Sequence, residues 1–132
     1  MIHGIGTDIV QVSRIRDCLE RFGERFARRI LAKAEWSRYE RAAHPAHFLA
    51  KRFAAKEAAA KALGTGFRDG LGLRDFIIVS DVRGRPGLEF QGRARELREE
   101  LGIGECFVSI SDEREYAVAF VTLMQRRRYQ GT

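Results

Sequence analysis

An α+β fold, with a mainly antiparallel sheet packed on one long alanine-rich helix, is predicted from three observations. Strand-like and helix-like patterns follow one another without a regular βαβ alternation. The run FAAKEAAAKALGTG, Phe53 to Gly66, reads as a helix of alanines closed by a glycine, and the opening MIHGIGTDIV alternates as a strand. At 132 residues, 45% of them hydrophobic, the chain has material for one core and not for two. A single domain over 1–132 is therefore expected, with a solvated basic tail from about 126 that holds Arg126, Arg127 and Arg128.

In the first strand Ile2, Gly4, Gly6, Asp8 and Val10 share one side and His3, Ile5, Thr7 and Ile9 the other. Two glycines weaken a strand and mark the close approach of another backbone, so this face and the alanine helix are natural neighbours. Ser13 is expected to cap a helix that runs to about Glu20; Gly23 breaks it, and a second segment ends near Leu31. Ala34 to Ala42 reads as a short helix that stops before Pro45, with His44 and His47 flanking that proline on a loop. The main helix is expected from about Phe48 to Leu63, with Gly64 as a left-handed cap. A glycine-rich loop, GFRDGLGLRD, leads to a strand at Phe76 to Val82, a turn at Gly84, Pro86 and Gly87, and a short strand at Leu88 to Gln91. Ala94 to Leu101 is helical, and Glu105 to Ser111 pairs with Tyr116 to Met124 through a polar DERE turn. The last strand, AVAFVTLM, is apolar on both faces, so it is covered either by its own domain or by a neighbouring subunit.

Glu57 and Lys61, four residues apart, project from one face of the main helix, either as an exposed ion pair or as part of a site. Asp8 falls at the glycine seam, where it is either a strand-end aspartate or a carboxylate in need of a cation. Taken together, Asp8 and Glu57 make a hard-oxygen pair that suits magnesium better than zinc. Cys18 and Cys106 stand far apart in no metal or redox spacing and read as free thiols, and the three histidines form no ligand pattern. A net charge of +6 implies an acidic partner. Between Arg14 and Lys33, Arg14, Arg16, Arg21, Arg25, Arg28 and Arg29 flank Phe22, Phe26 and Ile30 at helical spacing, with Phe22 expected to pin the helix to the core. Such a basic and apolar surface suits an acidic helix. Nucleic acid is disfavoured because no recognition helix, zinc pattern or aromatic platform is evident. No membrane-spanning run or leader peptide is evident either, so a soluble, cytoplasmic protein is expected.

Three segments carry a resemblance: GIGTDIVQVSRI near the start, FAAKEAAAKALGTG in the middle and CFVSISDEREYAVAFV near the end. Their order and spacing resemble those of the holo-[acyl-carrier-protein] synthases, the small trimeric branch of the 4'-phosphopantetheinyl transferases. The resemblance implies that fold and a magnesium-dependent transfer of 4'-phosphopantetheine from coenzyme A to a serine of apo acyl carrier protein. Adenosine 3',5'-bisphosphate is the implied by-product and fatty acid biosynthesis the implied setting. It further implies that Asp8 and Glu57 hold the metal, that Lys61 reaches the phosphates, and that Glu57 or a water on the metal is the general base. Arg52, Phe53, Gly64, Thr65, Arg85, Pro86, Ser111 and Asp112 resemble positions that line the coenzyme A site. The Gly64, Thr65, Gly66 loop is then a phosphate contact, its alternative being a plain helix cap. Asp112 stands where the family pattern has histidine, so it binds metal-bound water or caps the turn. Arg14, Arg25, Phe26 and Ile30 match the surface that receives the acidic carrier, and the family's homotrimer places active sites between subunits. A basic nucleic-acid-binding module and a noncatalytic adaptor for an acidic protein are the competing classes.

Overall fold

The computed structural model of the protein describes residues 1–127. Arg128 and the rest of the expected tail lie outside the described residues. Five strands and five α-helices follow in the order β1 (Ile2–Gln11), α1 (Val12–Phe22), α2 (Glu24–Ile30), α3 (Trp36–Glu40), α4 (Pro45–Leu63), β2 (Phe76–Ser80), β3 (Pro86–Phe90), α5 (Gly92–Leu101), β4 (Ile103–Asp112) and β5 (Tyr116–Gln125). One antiparallel sheet has the order β1-β5-β4, and β2 and β3 form a separate antiparallel pair.

The alternation expected of β1 is realised. Gly6 and Val10 are buried while Ile5, Thr7 and Ile9 are exposed. A Cβ on Gly4 would overlap the carbonyl oxygen of Ala62, and one on Gly6 that of Ala58, so α4 lies directly on the strand and only glycine fits at the contact. On the same inner face β5 contributes Ala117, Ala119, Val121 and Leu123, all fully buried. Its outer face is left uncovered by the described residues. Phe120 is exposed there, together with Ile5 and Ile9 of β1 and Phe107 of β4.

Several boundaries differ from expectation for local reasons. Helix α1 starts at Val12, and Ser13 lies inside its first turn rather than capping it; the Val12 N–H is satisfied by the carbonyl of Glu115 at 2.8 Å, so no side-chain cap is needed there. Helix α4 begins at Pro45, one turn before Phe48, because proline has no N–H to lose at the first helical position and its φ already suits the helix. His44 therefore sits at the cap and His47 in the first turn. Strand β2 ends at Ser80, where the Asp81 carboxylate accepts the amides of Arg83 (2.8 Å) and Arg85 (2.9 Å) and folds the chain into a turn. The segment from Ala34 divides into a 3-10 turn, Lys33–Glu35, and the short α3. Arg126 is held rather than frayed, its amide bonding the carbonyl of Gly102 at 2.7 Å.

Candidate active site

Asp8 and Glu57 come together because the Gly/Ala seam removes everything between β1 and α4 except backbone. In the sheet register Asp8 is level with Ala119 and Ile110, at the middle of the face that α4 covers. Lys61, one turn beyond Glu57, donates to the Asp8 carboxylate at 3.0 Å and to the Thr7 carbonyl at 2.9 Å. Burial pushes the Glu57 carboxyl above the usual carboxylate range and the neighbouring charge of Asp8 pushes it further, with Lys61 opposing. Asp8 has the Lys61 ammonium beside it, while the charge of Asp8 still raises the half-buried Glu57, and the hard oxygens of the two carboxylates fit Mg²⁺. No group of three or more His, Cys, Asp or Glu side chains is placed to hold a metal among the described residues. A pair still suffices for Mg²⁺, which keeps several waters and takes substrate phosphates as its remaining ligands.

The other residues expected to line a coenzyme A site divide. Gly64 adopts φ 88° and ends α4; its amide bonds the Lys61 carbonyl at 3.0 Å, and that of Gly66 bonds Ala60 at 3.3 Å. Both amides thus serve the helix cap, and the hydroxyl of Thr65 donates to Gly66 at 3.0 Å. Phe53 is half-buried against the core. Arg52 is not a surface group. It is buried beside Glu35 at 3.1 Å, and its guanidinium lies over Phe48, 4.1 Å from the ring centroid. Its Nε faces the carboxylate as an ion pair without hydrogen-bond alignment.

Arg85 is exposed on the turn after β2 and Pro86 opens β3. Ser111 and Asp112 are exposed at the end of β4, where Asp112 is level with Ala117 and Val10. Asp112 faces a recess at the start of α4 that His44, His47 and Lys51 also line. It does not cap the hairpin turn, a role taken by the Glu113 carboxylate, which accepts the amides of Glu115 (2.9 Å) and Tyr116 (2.8 Å). Within one chain the Ser111–Asp112 strand end lies two strands from β1, level with Ile9 and Val10. His47 and Glu57 are separated by about 15 Å along the axis of α4.

The basic surface forms on α1 and α2. Arg14 and Arg25 are exposed, and Cys18, Phe22, Arg25, Phe26 and Arg29 line a shallow recess. Phe22 is 53% exposed and belongs to this surface rather than pinning the helix. Ile30 is fully buried and supports the surface from beneath, so its side chain is not available to a partner. Cys18 and Cys106 are free, as expected, and burial pushes the Cys106 thiol up.

Reading the sequence missed a buried charge cluster behind the site. Glu35 accepts from the Lys56 ammonium and the Ala32 amide (2.8 Å) on one oxygen, and meets the Ile78 amide (3.1 Å) and Arg52 on the other. Burial pushes Lys56 and Arg52 down and Glu35 opposes this in both. The only signal in the sequence was a second lysine beside Glu57.

Residues 4–121 match the family model described as the 4'-phosphopantetheinyl transferase superfamily. A holo-[acyl-carrier-protein] synthase of Halorhodospira halophila is 60% identical over 124 residues, covering 94% of this chain and 98% of that one. A crystal structure of holo-[acyl-carrier-protein] synthase from Neisseria meningitidis superposes with a TM-score of 0.90 at 43% identity, covering 95% of this chain and all of the other. The Helicobacter pylori holo-[acyl-carrier-protein] synthase, solved in complex with coenzyme A, gives 0.79 at 30% identity over 90% of this chain and 98% of that one.

Proposed function

The chain belongs to the 4'-phosphopantetheinyl transferase superfamily, among its holo-[acyl-carrier-protein] synthases, and on that premise we propose that it moves 4'-phosphopantetheine from coenzyme A to a serine of apo acyl carrier protein. The observation that carries this reading is the meeting of Asp8 and Glu57 across the Gly/Ala seam, with Lys61 bonded to Asp8.

In the transfer the serine oxygen bonds to the phosphorus that bears pantetheine, and the bridging oxygen of the pyrophosphate leaves with adenosine 3',5'-bisphosphate. Phosphoryl transfer asks mainly for positioning and for positive charge on the phosphate oxygens. A Mg²⁺ ion held by Asp8 and Glu57 would supply charge neutralisation at the pyrophosphate. Lys61 adds a point charge that swings from Asp8 to the same oxygens. Glu57, whose proton affinity is raised by burial and by Asp8, or a water on the metal accepts the serine proton.

The recess over Phe22 and Phe26, edged by Arg25 and Arg29 with Arg14 further along α1, receives an acidic carrier helix. The exposed apolar face of β1, β5 and β4 meets other copies in a homotrimer. Trimer formation also brings the Arg85–Pro86 turn and the Ser111–Asp112 strand end of one subunit toward Asp8 and Glu57 of the next, completing the coenzyme A pocket. The chain then acts as one catalytic domain in the cytoplasm, in fatty acid biosynthesis. No helix among the described residues is long and apolar enough to cross a membrane.

Incubation with apo acyl carrier protein, coenzyme A and Mg²⁺, followed by mass spectrometry of the carrier, tests the proposal. A phosphopantetheine mass gain that disappears in Asp8→Asn and Glu57→Gln is expected. A carrier left unmodified by the wild-type protein under all conditions refutes it.

A further inference from the structure

Lys56 is fully buried, and its ammonium donates to Glu35 and, at 2.6 Å, to the carbonyl of Ile30. Charge balance does not explain its presence. Arg52 already faces the second oxygen of Glu35, so removal of Lys56 would leave a neutral pair, whereas its retention buries two cations against one anion. The bond that Lys56 alone makes is to Ile30, the last residue of α2, whose carbonyl lies at a helix end where such groups lack an intrahelical partner.

The rest of α4 shows what this bond is for. Between Leu49 and Leu63 the buried positions of the helix are alanines, except for Arg52 and Lys56. Alanine side chains interlock little, so much of the resistance to rotation about the helix axis falls to the longer side chains buried along it. Lys56 and Glu57 are consecutive and diverge by about 100° around the helix, so an inward-locked Lys56 directs Glu57 toward the edge of β1 that carries Asp8.

We propose that Lys56 is a positioning residue for the transfer reaction: anchored on Glu35 and on the last carbonyl of α2, it fixes the rotation of α4 that aims Glu57 at Asp8. The proposal rests on the reading of Asp8 and Glu57 as the metal-holding pair. It also ties the basic docking surface to the catalytic helix through Ile30, the residue buried beneath that surface.

The test is Lys56→Met in the full chain, which keeps side-chain length and leaves Glu35 paired with Arg52. Thermal melting, kcat and KM for coenzyme A and for apo carrier protein are measured, together with Mn²⁺ affinity by electron paramagnetic resonance without substrate. A melting temperature close to wild type is expected, with kcat lower by about tenfold or more, both KM values within about twofold, and Mn²⁺ binding weaker by about fivefold. A purely structural lysine would leave kcat and Mn²⁺ affinity unchanged in the folded variant, and that result overturns the proposal. If Lys56→Met does not fold, Lys56→Leu, which also removes the N–H donor, carries the same measurements and the same criterion. Failure of the underlying reading is distinguishable: the wild-type protein itself would neither modify the carrier nor bind Mn²⁺, and the proposal would fall with its premise.

Discussion

The two flanks of α4 are built in opposite ways. Toward β1 the closest approach is backbone on backbone, Gly4 and Gly6 against the carbonyls of Ala62 and Ala58. Toward α2 and β2 three charged side chains, Glu35, Arg52 and Lys56, meet in the interior. The bare flank supplies proximity, since only backbone-to-backbone contact brings Asp8 and Glu57 across one narrow seam. The charged flank supplies orientation. The same division separates two lysines five residues apart: Lys56 is sealed inside, whereas the Lys61 side chain is 52% exposed and leans over the mouth of the site. Residue type therefore does not decide which of them serves chemistry; helical phase does.

Stability puts both flanks on one scale, and the charged flank is the more sensitive. Glu35→Gln leaves Lys56 and Arg52 buried without an anion, a change expected to cost about 3–5 kcal/mol. Urea unfolding measures it. A loss below about 1 kcal/mol would mean that water enters behind α4 and that the cluster is not the lock described.

The bare flank comes next. Gly6→Ala puts a methyl group into the Ala58 carbonyl, so strand and helix must separate, at an expected cost of about 1–3 kcal/mol. Activity should fall further than stability, because the displacement opens the distance between Asp8 and Glu57. A variant with wild-type kcat would show that the seam is slack and that proximity does not depend on it.

Glu57→Gln has the opposite sign. In the folded protein the Glu57 carboxyl is raised above its unfolded value, so its contribution to stability is fully present below the unfolded pKa and is lost as pH rises through the folded one. At neutral pH the charged Glu57 therefore strains the fold, and the amide should melt higher than wild type while transfer falls by about 10²–10⁴-fold. The gap in melting temperature should close on acidification below the ordinary glutamate range. A Glu57→Gln protein less stable than wild type at neutral pH would contradict the assignment of burial and Asp8 as the dominant influences.

The bare flank was legible in the sequence because glycines at Gly4 and Gly6 fall on one side of a period-two strand with Asp8, and an alanine helix is the one surface that can meet them. The charged flank was not. An alanine helix buried on most sides shows no apolar stripe, so its rotation cannot be read from the pattern, and Lys56 and Lys61 look alike on either side of Glu57. Arg52 was misplaced for the same reason. Ile30 and Phe22 exchanged roles because α1 and α2 are separated at Gly23, where φ is 61°, and the helical phase does not carry across it. The outer face of β5 was legible only as a choice between its own domain and a neighbour, and the exposed Phe120 shows that the described residues do not cover it.

The smallest change in stability is expected at Lys61, and it sharpens the contrast with Lys56 most directly. Lys61→Met removes a pair whose cationic partner is half in solvent, so screening and side-chain entropy leave a net effect within about 1 kcal/mol. Because Asp8 then lacks its nearest cation, Mn²⁺ should bind the free variant at least as tightly as wild type. Turnover should nevertheless fall, by about 10²-fold for a lost phosphate-stabilising charge. Lys56→Met and Lys61→Met would thus both slow transfer while moving metal affinity in opposite directions, weaker for the buried lysine and unchanged or tighter for the exposed one. Parallel loss of metal affinity in the two variants would show that both lysines act through the same general field, and the separation of orientation from charge along α4 would not hold.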